Sequence, residues 1–168
     1  IELHKQGAVI CDTLFESLGD ELHQGKTCWE IQVTLEAIAR LLGADYCKTW
    51  LTIMPNADYP RYWPEEGARI PHAGDQVLFG IALTVAGNWA HGIRMGSIGP
   101  ATPAQTKLWQ CAADMLQAGT ESLKPGHPLR TCGYEMNRLS GEHYDKAEIS
   151  QMCDFAQDMA WARRMKIH

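Results

Sequence analysis

The chain has 168 residues, 45% of them hydrophobic, and carries a formal net charge of −5 at neutral pH. That length and apolar content suit one domain with a sizeable core. The acidic balance, with no Lys/Arg cluster, excludes an electrostatic footprint for nucleic acid, and no apolar run approaches the length of a membrane span.

In chain order, the first predicted element is a helix over residues 3–22, with Val9, Ile10, Leu14, Leu18 and Leu22 near helical spacing. Gly25 ends that segment. Thr27 then stands three residues before Glu30, the signature of a capping box. Ile31, Leu35, Ile38 and Leu42 give the second helix its apolar stripe, and Gly43 closes it. Residues 46–54, YCKTWLTIM, read as a strand, and the loop PNADYPRYWPEEG follows, where prolines prevent regular pairing.

Residues 76–86 and 89–97 read as a hairpin around a two-residue turn at Gly87-Asn88. Val77, Phe79, Ile81, Leu83 and Val85 form one apolar face of its first strand. With that turn Thr84 lies opposite His91, and Gly80, Ala82, Thr84 and His91 share the other face. Thr102, Pro103 and Gln105 start a further helix that runs to about Leu123, where Lys124-Pro125-Gly126 stops it. A loosely patterned stretch precedes a last predicted helix over residues 145–166, with Ile149, Met152, Cys153, Ala156, Met159 and Ala160 inward. Hairpin strands among helices make the class α+β with an antiparallel sheet.

The six cysteines, Cys11, Cys28, Cys47, Cys111, Cys132 and Cys153, form no C-x-x-C pair and are too sparse for a disulfide scaffold. They predict buried, reduced thiols in a cytoplasmic protein. The chain begins at Ile1 and ends at His168 within a helical pattern that has no cap, so a fragment of a longer protein is expected.

The order of elements, with Gly74-Asp75 entering a strand, then Gly87, Arg94, Gly99, Pro103 to Gln105-Thr106 and Pro125-Gly126, resembles the pita-bread family of methionine aminopeptidases, Xaa-Pro peptidases and creatinase. The similarity runs over roughly residues 1–126. It implies helices on one face of a curved antiparallel sheet, here as the N-terminal half of a single domain spanning residues 1–168 and incomplete at its C-terminus. The resemblance also implies hydrolysis of a C–N bond in a small polar or dipeptide-like substrate. In the family's metal enzymes two Asp residues on the hairpin bridge two metal ions; the matching positions here are Gly80 and His91. The family's loop His is matched by Arg61, and its other ligands lie in the second half. Creatinase is a relative that works without metal. The expectation is therefore a metal-independent hydrolase with no cofactor, or an inactive relative that serves as a binding or interaction module.

On that resemblance His91 is the candidate catalytic residue, as general base or substrate hydrogen-bond donor; the alternative is a remnant of a decayed site. Gly80 and Thr84, with Ala82, would floor a ligand space. Arg61 with Tyr62 and Trp63 could clamp a carboxylate or a flat ligand, or simply be a surface loop packed by its own aromatics. Arg94, on the opposite face by parity, is expected to pair an acid beneath the sheet. Asp75 reads as a turn residue. Glu65-Glu66 reads as a solvated pair, and His127, Cys132 and His143 match no metal-ligand spacing. An unpaired edge in half a pita-bread sheet predicts a homodimer, with no nucleic-acid or membrane partner.

Overall fold

The computed structural model describes residues 1–55 and 66–144. They fall into two compact units, residues 1–55 with 66–101 and residues 102–144. The predicted last helix, 145–166, lies outside the described residues.

The first unit begins with α1 (Glu2–Glu21) and α2 (Cys28–Leu41). The predicted capping box opens α2: Thr27 Oγ1 accepts from the Glu30 N–H, and the Glu30 carboxylate accepts from the Thr27 N–H at 2.8 Å. Those two bonds satisfy donors that a helix start otherwise leaves unpaired. Three strands follow, β1 (Tyr46–Met54), β2 (Gln76–Val85) and β3 (Asn88–Ser97), antiparallel in the order β1-β2-β3.

Period-two alternation gives the sheet one oily face. Phe79, Ile81 and Leu83 of β2 and Leu51 of β1 are fully buried there, with Leu14 of α1 and Ile31 and Leu35 of α2 in the same core. Each such side chain contributes about 1.5–3 kcal/mol by leaving water. Phe15 meets Phe79 edge to face, with ring centroids 5.7 Å apart. Val9 does not join them: it is 63% exposed, because its neighbours Ile10 and Cys11 take the buried stripe of α1.

The hairpin turn differs from the sequence expectation. Val85 pairs with Asn88, so the turn is Ala86-Gly87 and not Gly87-Asn88. Both turn residues have positive φ, 47° and 74°, the signature of a type I′ turn, whose twist matches that of paired strands. Side chains hold the turn there: Gly87 N–H donates to Asp45 Oδ2, and the Asn88 amide donates to the Val85 and Ala86 carbonyls. Thr84 therefore lies opposite Trp89, and His91 opposite Ala82. The register moves by two residues, so each side chain keeps its expected face.

At Thr49 the outer edge of β1 is covered by α2 side chains. Thr49 of β1 gives its N–H and Oγ1–H to Glu36 Oε1 of α2, at 2.8 and 3.0 Å, and its carbonyl accepts from Gln32 Nε2 at 2.9 Å. Asp75, read as a turn residue, is one: it accepts from the His72 N–H and from Arg69 at 3.0 Å each, where the chain enters β2.

The second unit is a helical pair, α3 (Pro103–Ser122) and α4 (Arg130–His143). Thr102 and Gln105 form the expected capping box at the start of α3, with proline in the first turn. Helix α4 occupies the stretch where no element is predicted. Its Cys132 and Met136 pack at Gly119 of α3, where a β-carbon would come within about 3.1 Å of either sulfur. His143 Nε2 of α4 lies 3.1 Å from Asp114 Oδ2 of α3.

Candidate functional site

The face of the sheet turned away from α1 and α2 holds the candidate residues. Paired residues of antiparallel neighbours share a face, so the register sets three side chains per row: Tyr46, Thr84 and Trp89; Lys48, Ala82 and His91; Trp50, Gly80 and Ile93. Gly80, Thr84 and His91 are thus brought to one face. Arg61, Tyr62 and Trp63 lie outside the described residues.

Two aromatic bridges cross the small residues of β2. Tyr46 and Trp89 meet at 5.7 Å in the row of Thr84, which is buried. The Trp50 indole stretches from β1 over Gly80, and its ring centroid stands 5.8 Å from that of His91, tilted by 34°. A β-carbon on Gly80 would lie within 2.5 Å of Trp50 Cζ2 and closer still to Cε2 and Nε1. The space above Gly80 is filled by the indole, and His91 remains exposed beside it.

Trp50 is the residue that sequence reasoning missed. A large aromatic directly across from a strand glycine is a recognised pairing, in which the ring covers backbone that the glycine leaves bare. The signal required the β1–β2 register, which no short turn fixes.

Arg94 lies on the helix-side face, as its parity predicts, but among the described residues it pairs no acid. Its guanidinium sits 4.9 Å from the centroid of the Phe15 ring and donates to the Ile93 carbonyl at 2.9 Å. The ring quadrupole takes the place of the expected carboxylate. With His4, Asp12, Phe15 and His91, it lines a cavity of about 330 Å³ between α1 and β3.

The thiols are free among the described residues, and Cys11, Cys28, Cys47 and Cys111 are buried. Cys132 is only half-buried. Burial pushes the Cys28 and Cys47 thiols up to about 11, so they are inert as nucleophiles near neutral pH. Among the described residues no group of three or more His, Cys, Asp or Glu side chains is placed to hold a metal ion.

Helices stacked on one face of an antiparallel sheet, followed by a capped helix, make this an α+β protein of the pita-bread class. Its solved neighbours agree. An X-Pro aminopeptidase from Thermotoga maritima matches with a TM-score of 0.70 at 19% identity, over 84% of this chain and 40% of its own. The prolidase from Pyrococcus furiosus gives 0.71 at 16% identity, over 84% and 42%. An Xaa-Pro dipeptidase from Bacillus anthracis gives 0.72 at 17% identity, over 84% and 40%. The model of metallopeptidase family M24 matches residues 2–156, and the chain belongs to that family. It spans about two-fifths of the length of these structural neighbours. No curated protein matches its sequence.

Proposed function

We propose that this chain is part of a creatinase- or Xaa-Pro-peptidase-like hydrolase that cleaves a C–N bond in a small polar, dipeptide-like substrate without the family's metal pair. The observation that carries this reading is the pair Gly80 and His91, on one face at the positions that match the metal-bridging Asp residues. Gly80 has no ligand atom, and an imidazole does not bridge two cations as a carboxylate does. Those residues do not fit a two-metal centre, whose chemistry depends on such bridges. What the face offers instead is an exposed imidazole, a side chain that can accept or donate a hydrogen bond or a proton. His91 acts there as general base or as a donor to the substrate, and further catalytic groups come from outside this chain. Free thiols support a reducing compartment, the cytoplasm. Among the described residues no helix is long and apolar enough to cross a membrane.

The test is hydrolysis of Xaa-Pro dipeptides and small amides or amidines in chelator-treated buffer, comparing the protein with His91→Ala. Loss of turnover in the variant, with melting temperature unchanged, is expected. Undiminished turnover in His91→Ala would refute the assignment. A second reading is a binding module without turnover, favoured by the indole that fills the space over Gly80. Under that reading no substrate is cleaved, while a ligand still raises the melting temperature.

A further inference from the structure

We infer that Trp50 and Gly80 form an obligate pair: the indole of Trp50 has taken the volume that a metal-binding carboxylate on β2 would need, so the hairpin cannot regain a metal site by changing Gly80 alone. This deepens the metal-independent reading above and rests on it only for the meaning of position 80; the packing claim stands on geometry. The ring crosses from β1 directly onto its cross-strand partner. A single methyl at position 80 already falls inside the contact shell of three ring atoms, so any larger side chain there, a carboxylate included, requires the indole to move. On its own face it is flanked by Lys48 and Thr52 along β1, and it packs toward His91 on β3.

The experiment is a double-mutant cycle on the whole chain, read by thermal melting. Gly80→Ala is expected to lower the melting temperature by several degrees in the presence of Trp50, and by much less in a Trp50→Ala background. Equal losses in both backgrounds would overturn the pairing. Gly80→Asp gives the same comparison with the larger side chain: it is expected to fold only when Trp50 is also Ala, and a fully stable Gly80→Asp single variant would overturn the inference. Titration of the unaltered protein with Co²⁺ completes it. No saturable uptake is expected, and uptake that His91→Ala abolishes would overturn the exclusion of metal. These readouts need no turnover, so failure of the hydrolase reading and failure of this pairing are seen separately.

Discussion

Replacing Glu36 by Ala tests how the sheet edge is sealed. Thr49 has no exposed surface, and one carboxylate oxygen accepts both its N–H and its hydroxyl. Removing that acceptor strands two donors beside the core, and a buried donor left without a partner costs about 1–3 kcal/mol. The carboxylate itself is about one-third exposed, so relief of its own desolvation returns little. The ion pair with Lys48, 3.7 Å away and half-exposed, adds less than about 1 kcal/mol. The sum is a loss of about 2–6 kcal/mol for Glu36→Ala, or roughly 4–24 °C in melting temperature for a chain of this size. Glu36→Gln keeps an acceptor oxygen and is expected to lose about 1 kcal/mol. Urea denaturation followed by far-ultraviolet circular dichroism measures each variant, and Thr49→Val in both backgrounds isolates the hydroxyl. A loss below about 0.5 kcal/mol for Glu36→Ala would mean that water replaces the carboxylate and that the edge is not sealed as described.

Alkali offers a second test. The folded-state thiols of Cys28 and Cys47 ionise near 11, above the unfolded value of about 8.5. The unfolded chain therefore releases these protons first. Their stabilising contribution is full below about pH 8.5 and is lost as pH rises through the folded values. Stability should fall across that window by on the order of 2 kcal/mol per thiol, and the alkaline limb of a melting-temperature profile should flatten in Cys28→Ala and Cys47→Ala. At the hairpin, Ala86 holds a φ of 47°, where a β-carbon is strained. Ala86→Asn creates the favoured Asn-Gly turn and should stabilise by about 0.5–1 kcal/mol in equilibrium unfolding; a destabilised variant would contradict the turn assignment.

Capping chemistry was the most legible part of the fold. Thr27 with Glu30 and Thr102 with Gln105 fix two helix starts through local bonds, so a short sequence window suffices. Alternation placed Phe79, Ile81 and Leu83 inside for the same reason. The turn was misplaced because glycine and asparagine are the expected residues at positive φ, whereas here Asp45 and Asn88 support an alanine from outside the turn. Helix α4 was invisible because it buries none of its residues, has no side-chain cap and carries Gly133 and Gly141. Its support comes from Arg138 paired to Glu135 and Glu142 and from its packing on α3. At the site, the shared face of Gly80 and His91 followed from parity alone. The indole over Gly80 did not, since the β1–β2 register depends on contacts distant in sequence.

The two margins of this sheet are treated differently, and that asymmetry limits how it can grow. On β1, Glu36 and Gln32 occupy both backbone groups of Thr49. On β3, the pairing alternation that starts at Val85 and Asn88 turns the backbone groups of Trp89, His91 and Ile93 outward, and a guanidinium occupies the Ile93 carbonyl. A strand approaching β3 would meet outward backbone groups, whereas one approaching β1 at Thr49 meets side chains already seated on the backbone. Growth of the sheet by strand addition is therefore easier along β3 than at the Thr49 stretch of β1.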